Sequence, residues 1–283
     1  MKHLAAALAV LLASASAAAQ AHPAPNAQDL SSTRALAMGD AFRAVASSNE
    51  AIYFNLAGMA QAPRYELDLS YAFNNVDDFD LYNGSIVDAK STSFATGLAY
   101  SRIAASDLDG HVVHLGFAVP LGDRASLGFG LKYLNFSDPS PDPTNAITGD
   151  VGLLLRPIDL LSIGITTSNV IGVSSREAPR RAAAGVAIGS DTSFRLASDV
   201  SFDFSGEETG VSYHVGGEYL LLGEFPLRAG FKRLDFPGRQ DNYASAGLGF
   251  VSTEAGIEAA YVQNLDGDRS KDRTFAFTLK LFL

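Results

Sequence analysis

The chain has no cysteine and no tryptophan, few basic residues, and no long apolar run past its first twenty positions. Without cysteine, disulfides and lipobox acylation are excluded, so an extracytoplasmic protein of this kind must be stabilised by another route. Without a run of about eighteen apolar residues there is no transmembrane helix. Basic residues number 21 against 31 acidic ones, a formal charge of -10, and they form no cluster that would neutralise phosphates. Nucleic acid is therefore excluded as a partner. Beyond position 20 the histidines are His22, His111, His114 and His214. No Ser-His pair can be assembled from them for nucleophilic catalysis. No His/Asp/Glu spacing resembles a metal site, and the glycine-rich stretches carry no phosphate-loop pattern. The expectation is a non-enzyme with no cofactor, and His114 and His214 read as lumen or interface residues.

What is present begins with a leader. Lys2 supplies a positive n-region, Leu4 to Leu12 an apolar h-region, and Ala15-Ser-Ala17 or Ala17-Ala-Ala19 a small-residue cleavage site before Gln20. Removing 1–19 leaves roughly 260 residues, and loss of Lys2 brings the balance to 20 basic against 31 acidic residues. Residues 20–29 read as a tether. Residues 30–62 are small, Ala-rich and helix-compatible: Ser31 or Ser32 caps a segment through Ala46, and a second short helix follows Asn49. The division is signal peptide 1–19, tether and hatch 20–63, and β domain 64–283.

From Arg64 onward the dominant signal is a hydrophobic period of two. In 64–74, Tyr65, Leu67, Leu69, Tyr71 and Phe73 take one face, and Glu66, Asp68, Ser70 and Asn74 the other. A strand with that alternation separates an apolar medium from a polar one. Comparable segments fall at 91–103, 110–120, 124–136, 146–156, 160–170, 179–189, 193–204, 210–221, 225–234, 242–251, 254–263 and 273–283. Their lengths suit a tilted crossing of a bilayer. Tight turns at 121–124, 156–159, 189–192, 222–225 and 252–253 alternate with longer polar links at 137–145, 171–178, 235–241 and 264–272. With the C-terminus and the tight turns on the periplasmic side, 104–109 becomes an external loop. Strands 64–74 and 91–103 then both run outward, so a returning strand must lie between them, and 77–87 is the only candidate. The count becomes fourteen, an even number as bacterial single-chain barrels have, with twelve as the alternative. The fold class is all-β: a transmembrane antiparallel up-and-down barrel with a small N-terminal helical hatch in its lumen.

A lipid-facing Arg or Lys at the midplane costs about 2–4 kcal/mol, so the charges should face inward. On three consecutive strands this places Arg195, Asp199 and Asp203, then Glu218, then Arg228 and Lys232 on the lumen wall, where they are expected to form one ionic lattice. Tyr65, Tyr100, Tyr133, Phe136, Tyr213 and Tyr261 recur near strand ends, as interfacial girdles require. The final strand puts Phe275, Phe277, Leu279, Leu281 and Leu283 toward lipid, like the C-terminal signal read by the barrel-insertion machinery, although it ends on Leu rather than Phe. Strand glycines at 97, 116, 128, 130, 152, 164 and 185 either permit a kink or lateral gap, or leave room for the hatch.

The run Thr33-Arg-Ala-Leu-Ala-Met-Gly-Asp-Ala-Phe-Arg-Ala-Val-Ala46, followed by Asn49-Glu-Ala-Ile-Tyr-Phe-Asn-Leu-Ala-Gly58, resembles the N-terminal signature of the FadL-type long-chain fatty-acid transporters and their PorV-like relatives. That signature has a small-residue helix and then an Asn-Pro-Ala-Gly turn. Gly149-Asp-Val-Gly-Leu-Leu-Leu-Arg-Pro157, Leu161-Ser-Ile-Gly-Ile and Ser168-Asn-Val170 resemble the PorV-like branch. The resemblance implies a fourteen-stranded barrel in the outer membrane of a Gram-negative cell, with both termini periplasmic and the N-terminal segment folded into the lumen. It maps Asn55, Ala57 and Gly58 onto the hatch turn, with Leu56 in place of the usual proline.

Two functions follow from the resemblance. One is passage of hydrophobic or amphipathic, fatty-acid-like small molecules past the hatch. The other is a PorV-like envelope platform or shuttle that holds proteins in a secretion, attachment or motility assembly. The expected partners are outer-membrane lipid, the insertion machinery, and either a hydrophobic small molecule or envelope proteins. A soluble β-sandwich shares the local alternation; the leader, strand lengths, turn asymmetry and aromatic final strand favour the membrane barrel.

Overall fold

The computed structural model describes residues 31–76, 78–106, 108–137, 144–171, 178–205, 209–236 and 239–283. The expected leader and the tether as far as residue 30 lie outside the described residues.

Among the described residues, fourteen strands form one closed antiparallel barrel. They are β1 (Tyr65–Asn74), β2 (Phe79–Asp88), β3 (Ala95–Ala105), β4 (Leu108–Pro120), β5 (Ala125–Ser137), β6 (Thr144–Ile158), β7 (Leu161–Ser168), β8 (Arg181–Gly189), β9 (Phe194–Asp203), β10 (Gly210–Leu221), β11 (Phe225–Phe236), β12 (Arg239–Val251), β13 (Ala255–Asn264) and β14 (Arg273–Phe282). Each pairs with its sequence neighbour. β1 closes the ring on β14 in the register Leu69↔Leu279 and Tyr71↔Phe277. The strand inferred by parity at 77–87 is β2. Closure leaves no sheet edge, the condition for placing a sheet in hydrocarbon.

The outward phase is apolar around the circumference. Leu69, Leu98, Leu115, Leu131, Val186, Leu196, Val215, Leu227, Leu248, Ile257 and Leu279 are all exposed. Aromatic pairs lie toward both ends of this band: Phe73–Phe275 and Tyr71–Tyr82 at one, Phe117–Phe129 and Phe225–Phe250 at the other. An apolar belt bounded by aromatics is the surface of a membrane-spanning barrel.

Two expected external loops are nearly absent. β3 and β4 continue until only 106–107 join them, and β11 and β12 until only 237–238 do. Above the lipid an outward side chain no longer needs to be apolar, so the alternation fades while the ladder continues. There Arg102 donates to Asp109 (3.0 Å) and Tyr100 pairs with His111 (2.8 Å) on the outer rim.

The chain enters the lumen as helix α1 (Thr33–Ala37), whose first turn is capped by Ser32 Oγ accepting from the Ala35 N–H (3.1 Å). A 3-10 turn (Ser48–Glu50), helix α2 (Ala51–Phe54) and a second 3-10 turn (Leu56–Gln61) follow, and then β1. The first helix ends at Ala37, well short of the expected Ala46. Gly39 (φ 61°) and Asp40 (φ 60°) take left-handed backbone there. The backbone N–H groups of Phe42 and Arg43 go instead to Asp199 Oδ2 of the wall, at 2.7 and 2.9 Å. Wall contacts therefore override local helix preference. Nearly every residue of 31–59 is buried, so the barrel is filled by its own N-terminal segment.

Candidate functional site

The plug fits because the wall loses its side chains where the plug passes. A methyl added at Gly164 would lie 2.0 Å from the Arg43 carbonyl oxygen, at Gly128 2.2 Å from the Ala57 nitrogen, and at Gly152 2.2 Å from Asn55 Oδ1. Similar crowding holds at Gly97 and Gly116 against Met59, and at Gly130 against the Leu115 carbonyl and Leu56, whereas a methyl at Gly185 would strike Asp199 of the neighbouring strand at 2.1 Å, with Arg43 Cβ at 3.3 Å. Of the strand glycines singled out in the sequence, Gly185 therefore makes room for the Asp199 carboxylate that holds the plug, and 97, 116, 128, 130, 152 and 164 make room for the plug itself. Gly216, Gly230 and Gly247 do the same against Met38, Gly39 and Ala37. Those three escaped the sequence reading, although they share the inward phase of Glu218 and Arg228.

The hatch turn is built from Asn55. Its Nδ2 donates to the Arg43 carbonyl (2.7 Å) and to the Leu153 carbonyl of β6 (3.1 Å), while its Oδ1 accepts from the Ala57 N–H (3.3 Å). Gly58 closes the turn by donating to the Asn55 carbonyl at 2.8 Å, and a Cβ there would strike the Ala46 carbonyl oxygen at 2.1 Å. Ala57 is fully buried, and its carbonyl accepts from Ser126 Oγ of β5 (2.8 Å). Leu56, in the position of the usual proline, packs its methyls over Gly116 and Gly130.

The expected lattice spans the wall between Glu218 and Arg228 and extends from there into the plug. Glu218 accepts from Arg228 of the neighbouring strand (2.6 Å) and takes two hydrogen bonds from Arg34 of the plug (2.7 and 2.8 Å). Lys232 reaches Asp40 of the plug at 2.6 Å, and Asp199 holds the plug backbone with Arg43 Nη1 at 3.5 Å. Asp203 is not part of the lattice; it sits with Arg181 at the loop end, 3.6 Å away. Arg195 turns toward Asp191 in the β8–β9 turn.

Residues outside the expected set complete the lattice. Arg228 also donates to Glu258 (2.7 Å), and Lys280 bonds Glu50 of the plug with Glu258 at 3.5 Å, Asp68 at 3.8 Å and Glu66 at 3.9 Å around it. Burial by itself would depress the Arg34 guanidinium, but Glu218 and Glu50 more than offset this and its pKa is raised. The inward phase of Glu66, Asp68, Glu258 and Lys280 was the available signal for these partners.

The opposite wall is different. On β2–β5 the lumen face toward the loop end is apolar: Phe79, Leu81, Ile103, Val112, Leu134 and Phe136 are buried there. Below them Ile52, Leu56 and Met59 of the plug meet Gly97, Gly116 and Ala99. The plug is thus held by ions along β9–β14 and β1, and along β2–β5 by apolar packing with uncharged hydrogen bonds, Asn49 to Ser85, Tyr53 to Asn83 and Ser126 to the Ala57 carbonyl. His114 of β4 is buried on the dry side, and His214 of β10 on the charged side, where it meets the Gly39 carbonyl at 3.0 Å. Against the plug lies a crevice of about 10 Å³, lined by Arg43, Tyr53, Phe54, Thr166 and Asn169 among others, enough for about one water.

A closed fourteen-strand cylinder, apolar outside and filled by its own N-terminal segment, defines the class: a plugged membrane barrel. Its fold is that of the FadL-type channels. Over 89% of this chain it superposes on the monoaromatic hydrocarbon channel CymD, covering 97% of that chain with a TM-score of 0.69 and 12% identity. The Ralstonia pickettii toluene transporter TbuX matches over 89% of this chain and 98% of its own (TM-score 0.66, 11% identity). A Pseudomonas aeruginosa FadL homologue does so over 89% and 97% (TM-score 0.63, 13% identity). No family model and no curated protein sequence matches the chain.

Proposed function

We propose that this protein is an outer-membrane barrel, with periplasmic termini, that passes hydrophobic or amphipathic small molecules along a route gated by the plug. One observation carries this: the loop-end lumen face of β2–β5 is apolar, and one polar row (Asn83, Ser101, His114 and Lys132) separates it from the apolar side of the plug. An apolar lumen surface has no use in a water-filled pore, whereas it lowers the cost of desolvating an apolar solute. The charged side keeps the plug anchored while the dry side yields. The FadL-type neighbours include a monoaromatic hydrocarbon channel and a toluene transporter, which supports the same substrate class. Fatty-acid-like and small aromatic solutes both fall within it.

The test is uptake of labelled fatty acid and of toluene into vesicles carrying the wild-type barrel or a version lacking 27–62. Wild type should pass apolar solutes and exclude ions, while the deletion should conduct ions freely. Failure of both proteins to pass either solute ends the transport assignment. The filled lumen favours a second function, an envelope platform. In that case the barrel passes nothing and co-purifies with envelope proteins.

A further inference from the structure

The plug presents one aromatic side chain to the dry wall in a way that resembles a bound ligand. Tyr53 of α2 is 3% exposed and its hydroxyl donates to Asn83 Oδ1 of β2 at 2.8 Å. Asn83 Nδ2 in turn donates to Ser101 Oγ of β3 at 2.7 Å, which fixes the amide with its oxygen toward the phenol. The Tyr53 ring stands edge-on to the His114 imidazole of β4, centroids 5.6 Å apart at 89°. Burial raises the Tyr53 phenol, so it is held as a neutral donor.

His114 is the second unusual feature. It is 4% exposed, yet neither ring nitrogen has a hydrogen-bond partner among the described residues. A buried polar group left unpaired costs about 1–3 kcal/mol. Ala99 lies opposite His114 on β3, Val112 precedes it on the same face, and Lys132 lies opposite it on β5 with its ammonium taken by Asp150 at 2.8 Å. Crevices flank Tyr53 on both sides, one lined by Phe54, Thr166 and Asn169, the other by Asp68, Ser70 and Ser85. Removal of the ring opens a void between them.

We propose that Asn83, Ser101 and His114 form a wall slot for a phenol-type arene, which the plug's own Tyr53 occupies in the closed barrel. The slot supplies one acceptor for a hydroxyl, an edge-to-face partner for the ring, and spare imidazole nitrogens for a second polar atom. Displacement of the plug on its dry side exchanges one phenol for another, so Asn83 Oδ1 is satisfied before and after. Arrival of the arene at the slot rests on the transport function proposed above; binding to the slot does not.

The experiment is calorimetric titration of the detergent-solubilised Tyr53→Ala barrel with phenol and with toluene, which match in size and differ in the hydroxyl. Correct folding is verified by heat-modifiable gel migration, and Tyr53→Val provides a second variant that removes less volume. Both variants should bind phenol about tenfold more tightly than toluene, the worth of one buried hydrogen bond. Asn83→Leu added to either should erase that preference. Tyr53→Phe, which keeps the ring in place, should bind neither solute. Equal affinities for the two solutes, no binding by either variant, or a preference that survives Asn83→Leu overturns the slot. Phenol that binds but never enters vesicles refutes transport alone, and passage without phenol preference refutes the slot alone.

Discussion

Replacing Glu218 with glutamine removes one charge from the centre of the plug clamp and leaves the shape intact. Glu218 is the only carboxylate touching both Arg34 of the plug and Arg228 of the wall in the described lattice, through contacts of 2.6 to 2.8 Å. Both cations would remain buried. Each keeps a second carboxylate, Glu50 at 3.3 Å from Arg34 and Glu258 at 2.7 Å from Arg228. The loss therefore belongs at the low end of the range for breaking a buried pair, about 3 kcal/mol. It falls on plug docking, because the backbone ladder of β10 with β9 and β11 does not involve the carboxylate. A cost of about 3 kcal/mol corresponds to roughly a hundredfold rise in the undocked population. Hydrogen exchange in detergent reads this directly: amides of 33–61 should exchange about a hundred times faster while those of β9–β11 keep wild-type rates. The double variant Arg34→Met/Glu218→Leu should lose less than Glu218→Gln, since it removes both charges rather than orphaning one. Unchanged plug exchange would refute the clamp, and equal acceleration in the strands would show that Glu218 holds the wall rather than the plug.

Two further perturbations separate shape from charge. Leu56→Pro suits the backbone, since Asn55 before it is already extended (φ -160°, ψ 98°) and position 56 opens a 3-10 turn. It removes the methyls over Gly116 and Gly130, so plug docking should weaken by about 2 kcal/mol, measured as faster proteolysis of the 31–62 segment in the folded barrel. Gly164→Val places carbon where the Arg43 carbonyl sits and should displace 41–46 while the barrel still closes. The readout is ion conductance in planar bilayers, with wild type silent and the variant leaky; a silent variant would show that the wall, not the plug, gives way.

The barrel was legible because a period of two is a local property. Each strand declares its lipid face through its own alternation, and the direction count then demanded β2 even though 77–87 is the weakest segment. Boundaries were less legible. At 104–109 and 235–241 the outward residues turn polar because the strands have left the lipid, which resembles the start of a loop. The short first helix was not legible at all: small residues continue to Ala46, and only Asp199, more than 150 positions away, shows why the Phe42 and Arg43 amides are used elsewhere.

The ionic lattice was legible across the wall for Glu218 and Arg228 but not in its plug half, because period two tells which way a charge points and not what stands opposite. The register supplies that missing step. Lys232 lies between His214 and Tyr243, and Asp199 between Gly185 and His214, so neither finds an opposite charge directly across on the wall. A buried charge without a wall partner requires one from within the lumen. The plug supplies them, Asp40 to Lys232 and Arg43 to Asp199. The inward glycines other than Gly185 work the same way in reverse: each marks a place where the wall yields volume to something that is not the wall. Charges without a cross-strand mate and glycines on the lumen phase together trace the plug's course before its coordinates are known. Along β3–β5 the trace shows glycine and a single charge, Lys132, which Asp150 of the wall already satisfies at 2.8 Å, so no ion of the plug is required there.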